Sequence, residues 1–562
     1  MGNPQLRGSV GLLLISLTCL LQPPEIWTIT PRVVAVANMN GGSSLILAYE
    51  FARLLGIFLP GLVAPILAAF CSLRWKWLLF LLFALSIVIN LVFYRVSGHT
   101  MAYVDWVMLW QAKANAGDAI SEYYRTLIKA AIATAPLLVG FMLVPVIQRP
   151  IWPWAVGTSV LSTGVFVAQC VAMQGGDTGL FPRTTSLYGM LVSTAFDGPI
   201  AKYAYTTDRR PDRQPVADNI VLIVDESVRH DFFSRVVLPE MEASKAAWRV
   251  YDFGLATSMA NCSMASNIMM RKLVRVDSVT LDLYRNPLVW SLARNAQFHT
   301  WLLDAQLGGF GHNLFDENER SLIDHLPWVG TGHDADLIGK LQAAWSAAPS
   351  FTLVIKKGAH FPYENKYPAQ YRSDSPVLSV PYVEGSRQRT HYVNAMDYQT
   401  GDFFRRLKEV VPHGRTVIFY TSDHGQNVGD VPGLPHCNSS VVPQVDEGIV
   451  PLLVLANFDV TGLAEAAARN RDRLSQFDMV ETLQAFLGYG SQDIVSSGLF
   501  RTGRDPVPGF VYGTPFGFFG RPAQMLPIDR SAYRRLEDER WGRAPRGEKP
   551  VSLPGALEPA LE

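Results

Sequence analysis

Five long apolar runs crowd the first third of this chain, near residues 8–24, 54–72, 77–96, 127–147 and 152–173. Each is close to the roughly 20 residues an α-helix needs to cross a bilayer, where backbone polar groups must be satisfied inside the segment. The runs therefore predict five transmembrane helices. Apart from Glu50 and Arg53 near the second run, few ionisable residues interrupt them, which argues against a solute transporter. The basic residues Arg7, Arg74 with Lys76, and Arg149 fall on one side if every run spans, and that side is cytoplasmic. An odd number of spans keeps the amino terminus inside and exports the chain after residue 175. No small-x-small cleavage site precedes Pro23-Pro24, so the first run reads as an uncleaved anchor.

The whole chain of 562 residues carries 49 Lys+Arg against 49 Asp+Glu. That balance leaves no electrostatic footprint for nucleic acid and makes membrane lipid the expected partner. Leu73-Arg74-Trp75-Lys76-Trp77 has the basic and aromatic character of a membrane interface. Residues 97–126, with His99, Asp105, Trp106, Trp110, Lys113, Glu122 and Arg125, suit either an amphipathic segment on the outer surface or a solvated loop. The sequence divides into a membrane domain at 1–174 and a linker at 175–218, with room for one interfacial helix. An α/β domain is expected at 219–529 and a mobile, charged and Pro-rich tail at 530–562. Of five cysteines, Cys19, Cys71 and Cys170 lie in expected spans. Cys262 and Cys437 remain, and whether they pair depends on a Cα separation that sequence does not give.

Between 219 and about 525, short apolar runs alternate with amphipathic stretches such as 398–411 and 477–487, the pattern of an α/β sandwich. Three of the runs end in polar clusters. Asn219 to Val224 leads into Asp225-Glu226-Ser227, Phe351 to Ile355 precedes Gly358-Ala359-His360, and Thr416 to Tyr420 precedes Ser422-Asp423-His424-Gly425. Carboxylates and imidazoles at strand carboxyl ends can hold a divalent metal, and open α/β sheets collect ligands along that edge. A nucleophile is offered by Asn261-Cys262-Ser263-Met264-Ala265-Ser266-Asn267, just ahead of a helix-like stretch. A hydroxyl at a helix amino terminus sits in a field that favours negative charge. Ser263 is the candidate, and Ser266 reads as an ordinary helix cap.

This order of motifs, with Tyr363, Tyr367-Pro368 and the later His436, resembles the phosphoethanolamine transferases. Those are inner-membrane proteins of Gram-negative bacteria with five spans and a periplasmic domain of the alkaline phosphatase and sulfatase superfamily. The resemblance implies one zinc at Glu226, Ser263, Asp423 and His424, with a second possible. Ser263 then stands where the family usually has a threonine nucleophile, and His360 and His436 match its substrate-side histidines. It also implies phosphatidylethanolamine as donor and an envelope glycolipid or glycan as acceptor. Four features depart from the family: Asp225 where it commonly has Gly, Gln426 where it has Glu, most of its disulfides missing, and an unusual stretch from Asp304 to His312.

Phosphoryl transfer needs a positioned nucleophile, cations to neutralise oxygen charge and an in-line leaving group, all of which this set offers. A sulfatase would need Cys-x-Pro/Ala-x-Arg, which Cys262-Ser263-Met264-Ala265-Ser266 does not supply. A membrane-bound phosphodiesterase and a glycerol-phosphate transferase share the nucleophile chemistry. A non-enzymatic membrane scaffold is the remaining alternative, motivated by Gln426.

Overall fold

The computed structural model describes residues 4–20, 58–97, 100–111, 116–172, 182–197, 204–242, 247–306, 312–330, 332–431, 434–438, 443–490, 498–502, 509–517 and 522–542. Among these, three helices are long and apolar enough to cross a membrane: Leu73–Ser97, Tyr123–Leu143 and Trp152–Val171. Two shorter apolar helices, Gln5–Cys19 and Phe58–Ala69, fall in the first two expected runs. The described residues thus hold three helices of spanning length, and the first two expected runs are described only in part. Residues 21–24 and 54–57 of those runs lie outside the described residues, as do Glu50 and Arg53.

Small residues let these helices approach closely. Gly11 and Gly140 face each other, and a Cβ on either would meet the other's carbonyl oxygen at 2.8 Å. At one end of the bundle Trp75 stacks on Trp152 with centroids 4.7 Å apart, and Lys76 Nζ donates to the Val144 carbonyl at 2.6 Å. Within residues 97–126 the structure forms the helix Tyr103–Gln111, started by Asp105 accepting the Ala102 amide at 2.8 Å. Trp106 Nε1 donates to Thr194 at 3.0 Å, so this segment leans on Ser186–Asp197, a helix within the stretch read as a linker. His99 and Lys113 lie outside the described residues.

Among the described residues the α/β region is built on a sheet of seven strands in the order β3-β4-β1-β5-β6-β2-β7. They are β1 (Asn219–Asp225), β2 (Arg249–Thr257), β3 (His299–Asp304), β4 (Ser350–Ile355), β5 (Thr416–Ser422), β6 (Ile449–Ala456) and β7 (Leu474–Ser475). β1 lies between β4 and β5 and is parallel to both, with Val224 opposite Ile355 and Asp225 opposite Ser422. Parallel strands covered on both faces read as continuous apolar runs. β1 shows why: Ile220, Leu222 and Val224 join one core while Val221 and Ile223 join another on the opposite face. β6 is antiparallel to both β5 and β2. β2 therefore ends on the same edge as β1, β4 and β5, which brings the turn at 261–263 to that edge.

The tail differs from expectation in its first part. Arg530–Arg540 is a helix, and it docks through polar anchors rather than a large apolar face. Arg540 grips Asp446 with two bonds of 2.8 and 2.7 Å, Trp541 Nε1 donates to Asp231 at 2.9 Å, and Tyr533 is buried. The expectation for 543–562 falls outside the described residues.

Candidate active site

Glu226 follows β1 directly and Asp423-His424 follows β5, so the pairing of Asp225 with Ser422 sets them side by side. The Asp423 amide donates to the Asp225 carbonyl at 2.9 Å and the Ala359 amide to the Glu226 carbonyl at 3.0 Å, stitching three strand ends together. One ligand atom each from Glu226, Asp423 and His424 lies within 4.8 Å of the others, and all three residues are buried. Ser263, the first residue of the helix Ser263–Arg271, completes the group. Its Oγ donates to the Glu226 carboxylate at 3.2 and 3.3 Å and lies 3.1 Å from His424 Nε2.

The donor set fits a divalent metal on two observations. Asp423 Oδ1 accepts the Ser227 amide at 3.0 Å and the His424 amide at 2.8 Å, whereas Oδ2 is buried without a hydrogen-bond partner, a costly state unless an ion completes it. His424 Nδ1–H donates to the Gly425 carbonyl at 2.6 Å. That fixes Nε2 as the atom facing the carboxylates, the one a metal would take in exchange for its proton. Charge strain points the same way. Burial and the neighbouring Glu226 charge push the Asp423 carboxyl well above the usual range. Burial also opposes ionisation of Glu226, but the His424 hydrogen bond and the charges of His360 and His424 outweigh it and hold this carboxyl well below its usual value. Burial lowers His424, yet Asp423 and Glu226 together bring it up to about 9. Two buried carboxylates and one imidazole thus crowd a spot where a dication would relieve all three.

The candidate substrate-side histidines reach the same place. His436 stacks on His424 with centroids 4.4 Å apart, and His360 meets His436 edge-on at 6.0 Å. Burial, then the charges of His424 and His360, keep His436 well below the usual histidine value. Its Nδ1–H donates to Gln426 Oε1 at 2.9 Å while Gln426 Nε2 donates to the Tyr363 hydroxyl at 2.8 Å. Gln426, where the resembled family has Glu, orients His436 through Nδ1 and leaves Nε2 outside that bond. The six candidates Glu226, Ser263, His360, Asp423, His424 and His436 therefore occupy one edge of the sheet.

Sequence reasoning missed Gln306, whose Nε2 donates to Glu226 Oε2 at 2.8 Å and to the Lys356 carbonyl at 2.6 Å. It lies in the unusual stretch from Asp304 to His312, so that stretch reaches the site. Sequence reasoning also missed the partner of Asp225. Lys356, fully buried directly after β4, pairs with Asp225, and Thr400 and Tyr420 donate to the same carboxylate oxygen at 2.8 and 2.9 Å. The other oxygen accepts the Glu226 amide at 3.0 Å. Gly358 makes room: at φ +51 its Cβ would meet Asp225 Oδ1 at 2.4 Å and the Glu226 amide at 2.7 Å. Cys262 and Cys437 form a disulfide.

Residues 271–489 match the Sulfatase family model, a span that contains Asp423 and His424 but begins after Glu226 and Ser263. No curated protein matches the sequence. Among solved structures, the integral membrane lipooligosaccharide phosphoethanolamine transferase A of Neisseria meningitidis superposes with a TM-score of 0.54 at 15% identity, covering 85% of this chain and 95% of that one. The C-terminal periplasmic domain of EcEptC from Escherichia coli matches with a TM-score of 0.43 at 15% identity, covering 58% and 97%. The same domain in complex with Zn matches with a TM-score of 0.42 at 14% identity, covering 57% and 96%. In fold, the chain resembles the phosphoethanolamine transferases: membrane helices followed by an α/β domain of the alkaline phosphatase and sulfatase type.

Proposed function

We propose that this protein is a zinc-dependent transferase of the bacterial inner membrane, with five spans, a cytoplasmic amino terminus and a periplasmic α/β domain. It moves phosphoethanolamine from phosphatidylethanolamine to an envelope glycolipid or glycan. The observation that carries the reading is a single convergence: a nucleophilic hydroxyl within hydrogen-bond reach of a buried carboxylate and imidazole, beside a carboxylate oxygen with no hydrogen-bond partner among the described residues. Glu226, Asp423 and His424 would hold the metal together with Ser263 Oγ. When bound, zinc lowers the pKa of that hydroxyl and neutralises charge on the phosphoryl oxygens.

Ser263 Oγ attacks phosphorus, the Oγ–P bond forms and the bond from phosphorus to the glycerol oxygen breaks. Diacylglycerol leaves, and the Ser263 proton ends on its new hydroxyl. An acceptor oxygen then attacks the phospho-serine, and the Oγ–P bond breaks. The acceptor proton passes through Nε2 of His436 or through His360 and returns to Ser263. The membrane helices hold this edge beside the bilayer, where an insoluble donor is reached without leaving the lipid.

The test uses the purified full chain on vesicles of phosphatidylethanolamine. Diacylglycerol release with a phosphoethanolamine mass added at Ser263 supports transfer. Free phosphoethanolamine without any adduct or modified acceptor means hydrolysis, and no reaction with no bound zinc returns the chain to a scaffold. Mass spectrometry of envelope glycolipids with and without the protein then identifies the acceptor.

A further inference from the structure

His436 reaches the site on a stretch beyond the sheet, residues 434–438, and that stretch is clamped to the nucleophile turn. Cys262 immediately precedes Ser263 and Cys437 immediately follows His436, and the two form a disulfide across 175 residues with a Cα separation of 4.6 Å. Beside it the Cys437 amide donates to the Asn261 carbonyl at 2.9 Å, and Asn261 Nδ2 donates to the Asn438 carbonyl at 2.8 Å. The buried Glu447 carboxylate accepts Asn261 Nδ2 at 2.8 Å, the Asn438 amide at 3.2 Å and Asn438 Nδ2 at 2.6 Å. Cys437 sits at φ +61, a conformation a non-glycine residue keeps only where its surroundings impose it.

Glu226, Ser263, Asp423 and His424 are placed differently. Glu226, Asp423 and His424 leave the ends of paired strands, and Ser263 opens a helix whose first turn is anchored by Ser266 Oγ donating to the Ala260 carbonyl and accepting the Ala260 amide. Their grouping stands on the sheet. His436 is held over His424 by its bond to Gln426, by the Asn427 amide donating to the Pro435 carbonyl at 2.7 Å, and by the clamp, which among the described residues is the one tie from its stretch to the turn that carries Ser263.

We propose that the Cys262–Cys437 bond is a positioning element for the second half of the reaction: it keeps His436 Nε2 aimed at the entering acceptor, so that phosphorylated Ser263 is discharged. This rests on the transfer reading above. In that step the acceptor oxygen forms its bond to phosphorus, the Ser263 Oγ–P bond breaks, and the acceptor proton moves to His436 Nε2 and on to Ser263 Oγ. With water as the acceptor the same exchange yields free phosphoethanolamine, so the step is measurable without knowing the natural acceptor.

The experiment loads the full-length protein with phosphoethanolamine from phosphatidylethanolamine vesicles, removes the lipid and follows decay of the adduct by intact-protein mass spectrometry. It compares the oxidised protein, the same protein reduced with a phosphine, the Cys262→Ala/Cys437→Ala double variant and His436→Gln. Breaking the bond is expected to leave loading within about twofold and to slow discharge at least tenfold, with reoxidation of the reduced sample restoring the rate. His436→Gln is expected to slow discharge equally, and reduction of that variant to add nothing. Equal discharge rates with and without the bond overturn the proposal, as does a parallel fall in loading, which marks general loosening. Should the double variant fail to fold, the reduced wild-type protein decides. An oxidised protein that never acquires the adduct overturns the transfer reading itself, an outcome distinct from an adduct whose decay ignores the bond.

Discussion

Two buried polar clusters sit one residue apart at the end of β1, and they are finished differently. Around Asp225 each carboxylate oxygen is satisfied, by Lys356, Thr400, Tyr420 and the Glu226 amide. Around Glu226 the charges do not close: Asp423 Oδ2 has no hydrogen-bond partner, and a second carboxylate and an imidazole press against it. A saturated network stabilises one conformation, whereas an unsaturated one keeps capacity for a ligand. The same strand end thus carries a scaffold and a candidate site.

The largest effect expected from breaking this contrast lies on the open side. Ser263→Ala should cost at least about a thousandfold in diacylglycerol release while zinc content persists, because the nucleophile goes and the carboxylates stay. Asp423→Asn should instead lose the metal, read by elemental analysis of the purified protein. On the closed side, Lys356→Met leaves a buried carboxylate uncompensated and should cost about 3–5 kcal/mol in urea unfolding. Asp225→Asn added to it should restore much of that loss, with zinc stoichiometry unchanged. A Lys356→Met protein that keeps its stability and loses its metal would erase the distinction between the two clusters.

Gly358→Ala tests the seam between them. Its Cβ would strike Asp225 Oδ1 and the backbone of Glu226, so a cost of about 1–3 kcal/mol should come with weakened zinc affinity in competition titrations. The smallest effect concerns pH at the docked tail. Burial raises Asp430, but the charges of Arg229 and Arg540 and the bonds from Tyr382 and Arg229 outweigh it and hold the carboxyl well below its usual value. A depressed carboxylate contributes stability above its unfolded value, about 3.9, and loses it as pH falls through the folded value. Protection of residues 530–540 in pulsed hydrogen exchange should therefore hold between pH 8 and 5 and fade only under stronger acid.

Much of the edge was legible because each strand is an uninterrupted apolar run that stops at a ligand type, as at Asp225-Glu226 and Ser422-Asp423-His424. What escaped depends on partners distant in the chain. Lys356 looks like the polar end of a strand until Asp225, 131 residues away, is set against it. Gln306 carries no motif and matters only through Glu226, 80 residues before it. The tail reads as solvated because its anchors, Asp446 for Arg540 and Asp231 for Trp541, lie 94 and 310 residues upstream. The first two membrane runs were legible as hydropathy, and residues 21–24 and 54–57 of them lie outside the described residues.

The link between residues 262 and 437 has a consequence for the chain as an object. Its ends are 175 apart in residue number, and it makes a covalent ring that contains β3, β4 and β5. A single protease cut anywhere inside that ring leaves one molecule, not two, until a reductant arrives. Gel mobility with and without reductant after a limited nick therefore reports directly whether the ring has closed in the cell.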